Sequence, residues 1–592
     1  MSVLYVPLSR LTNTNQAYDA VLVTDYISTF DKESFDAVDI IEDSHCSETL
    51  VELSDVEILS NRIEHVLVPM LNSYSGFEFD ELFWHRMLHY WLGTYLTSIF
   101  QALLVLDTAN KYIAQFDKVF SCLPVIDKKL ILSNEDFVWQ AFTDLYNAYV
   151  FGKLIELDNR MAIEYQSIST ERENNISEKS SFHVGMQGLV EKVNFRLMLH
   201  RKKAVRVQYY GQDYPQDFIY YLTIKSHGRI QPLQLSNMNS TMAIDSEFRK
   251  KIHDKLFESG LFTSEWQKKA VLLLADFLPL FFLEDFNNQV KYCEDYLRNY
   301  PNMRAIKTMA GGIYLNSQRL CGALLQNKGG YHVGEAHGWG YRVAKGIIDE
   351  EKIIYNKFYV MGRIGDNSGD IIGAPSFRLS GTKRNNKKYI LFGGTTIFKP
   401  TFGILKWNTS SQRRYLDRRI EFISFLREES RNAIVFRERE EVGWPIRKLL
   451  EQLQPDKLCF SVNAFKNMNE DATKRNNSFK ADLMECSLFI CDHISTMWAE
   501  ALMSDIPSIV LLDDQCCRIE ETENELFSEM KKAGLFFTEP RKLAEFINEN
   551  YNTIDYWWND LSRQEIVKKA RLRYIYEAED VKTWWLKELL KY

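Results

Sequence analysis

Apolar and polar positions follow two rhythms along this chain, and the change from one to the other marks its elements. From residue 82 to 112 apolar residues recur at spacings of three and four, with Trp84, Leu88, Trp91, Leu92, Tyr95 and Ile99 on one stripe, which predicts a long helix with that stripe in a core. His85, Arg86 and His89 ride near the edge of the stripe, where polar side chains can face a cleft between domains. A second amphipathic helix is expected over 135–152, carrying Asp136 and Asp144, and a helical block over 246–300. Its most apolar window, 270–283, contains Asp276 and Pro279 and is too short to span a membrane, so it reads as buried helix. Short apolar runs at 18–24 and 64–68 predict strands, and 171–181, almost free of apolar residues, predicts a loop. Gly362, Gly365, Gly369 and Gly373 make 355–375 look like a loop-rich passage between domains.

From residue 388 the pattern becomes strand and helix in turn. A strand over 388–396 ends at Gly393-Gly394, 418–431 is helical, and strands follow at 432–437, ending on Arg437, and at 458–461. Leu488-Phe489-Ile490 then stops at Asp492-His493-Ile494-Ser495-Thr496, after which Trp498, Ala499, Ala501 and Leu502 begin a helical period that Pro507 breaks before the strand 508–512. Such alternation predicts a parallel sheet covered on both faces, with a polar loop at the carboxyl end of a strand. Open parallel sheets take ligands there. Ser495 and Thr496 fall at a helix N-terminus, where unpaired N–H groups and the helix dipole favour phosphate; a plain N-cap pair is the alternative. Glu500, one turn on, can reach a ribose or sugar hydroxyl. Gly393-Gly394 suits either close approach of a ligand or a simple turn. Beyond Pro540 the chain reads as helical, with Trp557, Trp558, Trp584 and Trp585.

At 592 residues the chain is too long for one core and implies two or three domains. Its 45% hydrophobic and 26% charged residues exclude disorder as the main state. A net charge of -8 argues against a general nucleic-acid binder; the basic run 196–206 reads as a solvated strand or helix face, with a surface for an anionic acceptor or lipid phosphate as the alternative. Nine scattered cysteines, mostly in apolar runs, fit a reducing compartment. No signal peptide opens the sequence, so the expected location is cytoplasmic, with any membrane contact peripheral, at the inner face. No DxD motif stands at a strand end; neither a metal nor a cofactor is expected.

Five segments together carry a resemblance. The run 495–502, Ser followed by Glu500-Ala501-Leu502 and then Ile506-Pro507, resembles the nucleotide-sugar half-site of GT-B glycosyltransferases, especially capsule-type enzymes with a Ser-Ser or Ser-Thr pair. The run 334–341, GEAHGWGY, resembles the QHGGGYG signature of a family of O-antigen and capsule-cluster surface-polysaccharide transferases. FWHRMLHYWL at 83–92, Phe436-Arg437 with Gly443-Trp444, and IDYWWN at 554–559 follow the same family's order. Ala336 stands where that family has Gln and Trp339 where it has Gly, and the His-Pro pair of many capsule transferases is absent after Arg437.

The resemblance implies an α/β, GT-B-like fold: two Rossmann-like domains facing a cleft, with helical additions in the N-terminal half. Residues 1–375 would form the acceptor side; 376–592 would bind the nucleotide sugar and end in helices that pack back on the N-terminal domain. Donor phosphate would fall to Ser495, Thr496, His493 and Arg437, with Glu500, Gly393, Gly394, Gly338, Gly340 and Tyr341 around the donor. His337 would hold the donor or act as base, and Glu335, Asp136 or Asp144 would be the acidic catalyst. The implied partners are a nucleotide-sugar donor, with a slight preference for a CMP-activated acidic sugar such as a nonulosonate or Kdo, and a glycan or lipid-linked glycan acceptor. A CDP-polyol phosphotransferase and a non-catalytic scaffold on the same fold are the alternatives.

Overall fold

This computed structural model describes residues 2–6, 20–24, 38–41, 49–114, 116, 118–133, 144–158, 161–166, 204–208, 216–233, 235, 240, 242–309, 312–313, 315–336, 338, 351–363, 369–375, 389–395, 409–438, 447, 450–451, 458–462, 472–514 and 519–592. Among them the chain forms three parallel sheets, as the α/β expectation requires. The first contains β1 (Ser2–Val6), β2 (Ala20–Thr24), β3 (Val38–Ile41), β4 (Lys118–Pro124) and β5 (Ala162–Gln166), in the order β3-β2-β1-β4-β5. Between its third and fourth strands run two long helices, α1 (Thr49–Ser75) and α2 (Glu81–Ile113).

The strand expected at 64–68 lies inside α1. Val56, Leu59, Ile63, Leu67 and Leu71 are all buried, at spacings of three and four, so the apolar run is one turn of a longer helical stripe. The helix expected over 82–112 is α2. Asp80 caps it, its carboxylate accepting from the Phe83 N–H at 2.7 Å, and Asn72 of α1 accepts from the Trp84 indole at 2.7 Å, fixing the hairpin. By length and composition α2 is apolar enough to cross a membrane, but 82% of the apolar window is buried within the protein.

The second sheet is built from β6 (Ala204–Gln208), β7 (Ile230–Leu233), β8 (Met303–Thr308), β9 (Tyr331–Glu335), β10 (Lys357–Met361) and β11 (Ile371–Ala374), in the order β11-β10-β9-β8-β6-β7. Residues 1–375 therefore hold two sheets. Helix α3 (Asn316–Asn327) crosses from β8 to β9. Ala305 and Ile306, successive in β8, belong to different apolar cores, so both faces of this sheet are covered. The passage expected at 355–375 instead supplies β10 and β11. Phe358, Tyr359 and Val360 are buried among parallel neighbours, and Gly362, at φ 104°, turns the chain as β10 ends.

The third sheet is the one the C-terminal rhythm predicts. It contains β12 (Tyr389–Gly393), β13 (Ile434–Arg437), β14 (Cys459–Phe460), β15 (Cys486–Cys491), β16 (Ser508–Leu511) and β17 (Phe536–Phe537), ordered β14-β13-β12-β15-β16-β17. Helix α4 (Thr409–Ser424) follows β12, α5 (Ala472–Glu485) leads into β15, and α6 (Thr496–Met503) joins β15 to β16. Met361, at the carboxyl end of β10, packs into the core of this third sheet and so couples it to the second. The chain ends in helices, among them α7 (Leu561–Tyr574) and α8 (Val581–Leu589). Trp585 and Leu589 of α8 join Phe218, Val333 and Tyr359 on one face of the second sheet.

Candidate functional site

The carboxyl ends of β12, β13 and β15 meet at a cluster of buried charge. Arg419 of α4 is fully buried and donates to both Asp492, just past β15, and Glu438, just past β13, the second contact at 2.5 Å. The Thr395 N–H, beyond β12, donates to the same Asp492 carboxylate at 2.7 Å, and the Thr395 carbonyl accepts from Arg419 at 3.2 Å. Charges out of water persist when paired and hydrogen-bonded in this way. Burial works against the charge on Asp492, but the Arg419 guanidinium, with His493, outweighs it and holds the carboxyl below its ordinary value.

This cluster explains the glycine pair. A Cβ on Gly394 would lie 2.6 Å from the Glu438 carboxylate and 2.7 Å from the Arg419 guanidinium, and one on Gly393 would lie 2.9 Å from the Phe489 ring. The room left by Gly394 is taken by the ion cluster. Arg419, Glu438 and Asp492 were not among the residues the sequence singled out as donor-binding. Only the placement of Asp492 and Glu438 directly after apolar strands hinted at them.

Above the cluster runs the loop from Asp492 to Thr496. His493 is partly exposed and its Nδ1 lies 3.2 Å from the Asp492 carboxylate. Ser495 is the N-cap residue of α6, with extended backbone (φ -141°, ψ 169°), yet its side chain makes no capping hydrogen bond. Its Oγ is buried without a hydrogen-bond partner. A cap would satisfy that hydroxyl locally, so the plain capping reading leaves it unexplained. Thr496 opens the helix and Glu500, half-buried, follows one turn later. Arg437 ends β13 and pairs with Asp482 of α5, whose carboxylate also accepts from the Ser461 hydroxyl at 2.8 Å. Glu500 is close enough to act on Arg437 electrostatically.

Residues 27–589 match the model of the LIC12162 family transferase. The chain belongs to the LIC12162 family of transferases. No curated protein shows significant sequence similarity to this LIC12162 family member. Among solved structures it is similar to the S. aureus MnaA–UDP co-structure (12% identity, TM-score 0.34, 66% of this chain and 97% of that one). It is similar also to MurG of Acinetobacter baumannii (12%, 0.34, 66% and 100%) and to UDP-GlcNAc 2-epimerase from Neisseria meningitidis bound to UDP-GlcNAc (10%, 0.36, 66% and 100%).

The remaining expected residues of this transferase lie at the second sheet. Glu335 ends β9 and is buried against Lys307 of β8, whose ammonium lies 4.5 Å from the centre of the Trp585 ring. Gly338 is buried; His337, Gly340 and Tyr341 lie outside the described residues, as does Asp136. Asp144 opens the helix Asp144–Asp158. Ala336, next to His337, packs with Ile313 and Tyr355, and Tyr90 of α2 leans on the same group. The FWHRMLHYWL segment and the GEAHGWGY segment, far apart in sequence, are therefore neighbours. An open cleft lined by Arg363, Lys568, Arg571 and Glu577 lies between the end of β10 and α7, and none of its lining belongs to the Ser495 loop.

Proposed function

We propose that this transferase is a GT-B glycosyltransferase that moves a sugar from a nucleotide-activated donor to a glycan or lipid-linked glycan. The observation that carries the reading is the Ser495 hydroxyl, buried and unpartnered at the start of α6. A donor phosphate seated there would accept from that hydroxyl and from the first N–H groups of the helix, which also favour its charge. His493 and Thr496 flank the same position, and Glu500 would take a hydroxyl of the ribose or sugar. Arg437 acts from the strand end through its pair with Asp482. The ion cluster of Arg419, Asp492 and Glu438 forms the floor that fixes the loop. His337 would serve the reacting sugar as donor contact or base. The acidic catalyst would come from Glu335, Asp136 or Asp144, and residues 1–375 would present the acceptor.

The donor we favour is a CMP-activated acidic sugar, and the setting is capsule or O-antigen synthesis at the inner face of the cytoplasmic membrane. Both rest on the likeness of the Ser-Thr loop and the GEAHGWGY run to those of capsule and O-antigen transferases. The test is a thermal-shift panel of CMP, CDP, UDP, dTDP and GDP, with and without magnesium. A ligand at 100 times its Kd stabilises a protein by about 2.7 kcal/mol. A pyrimidine nucleotide should raise Tm without added metal, CMP most. No shift from any nucleotide would defeat the enzyme reading, and a shift confined to CDP with polyol-phosphate transfer would replace the sugar by a polyol phosphate.

A further inference from the structure

The histidines of the FWHRMLHYWL segment take no part in the donor site, yet they stand together. His85 and His89 are four residues apart on α2 and so share a face, with ring centres 5.0 Å apart. Glu64 of α1 faces them, and its Oε2 lies 2.5 Å from His85 Nδ1. One ligand atom from each of the three lies within 4.8 Å of the others. Two polar atoms of the group are buried with no hydrogen-bond partner: Glu64 Oε1 and His89 Nδ1. Buried acceptors without a donor are uncommon because each gives up water for nothing. Here two of them belong to one three-residue cluster, whose third member, His85, already pairs with Glu64.

We propose that Glu64, His85 and His89 form a binding site for a divalent transition-metal ion, zinc by ligand chemistry. Two imidazoles at i and i+4 with a carboxylate from a neighbouring helix are a borderline-soft N2O donor set that suits zinc and leaves a fourth position open. Zinc holds such donors at about 2.0–2.2 Å, which spaces them roughly 3.4 Å apart in a tetrahedral arrangement. That lies between the 2.5 Å contact and the 4.8 Å limit found for the group. Arg86 and Arg319 are the neighbouring cations, and Glu57 adds a carboxylate near His85.

The position is informative. Arg319 of α3 donates to the Met87 carbonyl, inside the segment, and to the Gly312 and Ile313 carbonyls of the loop after β8. The ion would thus tie α1 to α2 beside the segment that Arg319 joins to the loop after β8. This inference does not rest on the glycosyltransferase reading, since its donors lie on α1 and α2 and its test needs no donor sugar.

The experiment uses the full chain, stripped with a chelator and titrated with cobalt(II), then zinc. Expected are one equivalent of cobalt with the visible bands of a four-coordinate ion, displacement by zinc, and a higher Tm in the metal-loaded protein. His89→Ala and Glu64→Gln should each weaken binding by at least about tenfold, since loss of a direct ligand exceeds loss of a supporting contact. His253→Ala, an exposed histidine elsewhere, should bind as before. Wild-type protein that takes up no equivalent of cobalt, or undiminished uptake in both ligand variants, overturns the assignment. If the variants do not fold, copper(II) EPR of the wild type decides: splitting by two imidazole nitrogens supports the site, and none overturns it.

Discussion

A single hydroxyl separates the two readings of the loop before α6. In the free protein Ser495 Oγ is buried and has no partner, so Ser495→Ala removes an unsatisfied group and should leave the melting temperature unchanged or slightly higher. Donor binding should tell a different story. A hydrogen bond to a charged phosphate is worth about 1.5–3 kcal/mol, so the variant's nucleotide Kd, measured by calorimetry, should rise roughly 10- to 150-fold. Unchanged affinity would return Ser495 to the role of helix start. His337→Ala provides the contrast, because a group that handles protons or developing charge sets rate more than binding. Its turnover should fall about 10²-fold or more, with little change in Tm.

Elements hold this loop in place through a contact that no local pattern announces. Arg419 lies in α4 and Asp492 after β15, 73 residues later, and nothing in either neighbourhood marks the pair. Arg419→Met would leave Asp492 and Glu438 buried together without their cation, and should cost about 3–5 kcal/mol in urea denaturation. The depressed carboxyl of Asp492 fixes the sign of the pH effect. Its contribution is complete above the ordinary carboxylate pKa and is lost as pH falls through the lower folded value, so wild-type stability should decline on acidification in that window. The strand, loop, helix and strand from Cys486 to Leu511 were legible because apolar period, polar stop and Pro507 agree. Residues 64–68 misled because a short run with Val66, Leu67 and Val68 looks alike in a strand and in one turn of helix; Val56, Leu59, Ile63 and Leu71 beyond them show the longer stripe. In 355–375 the glycines outweighed Phe358, Tyr359 and Val360, although those three are the buried strand. The candidate site was legible as far as its loop. The ion cluster beneath it was not, since pairing across a sheet end leaves no spacing to read.

At the scale of the whole molecule the chain leaves the second sheet at Pro375, builds the third, and returns. Trp585 donates to the Pro375 carbonyl at 3.1 Å, the Tyr359 hydroxyl donates to Glu588 at 2.9 Å, and Tyr221 meets Thr583 at 2.9 Å. Trp585 is fully buried, so Trp585→Ala should cost about 3–5 kcal/mol, read as a lower thermal midpoint with the loss centred on the second sheet by hydrogen exchange. This return also sets a timetable for synthesis. A ribosome releases roughly 5–20 residues per second, so the strands of the second sheet emerge some tens of seconds before α8 arrives to cover Val333 and Tyr359. Through that interval an unfinished apolar face waits on the nascent chain. A premature stop anywhere in the third sheet's coding region would orphan the second sheet as well, and chaperone demand should follow the translation of α8 rather than that of the second sheet itself.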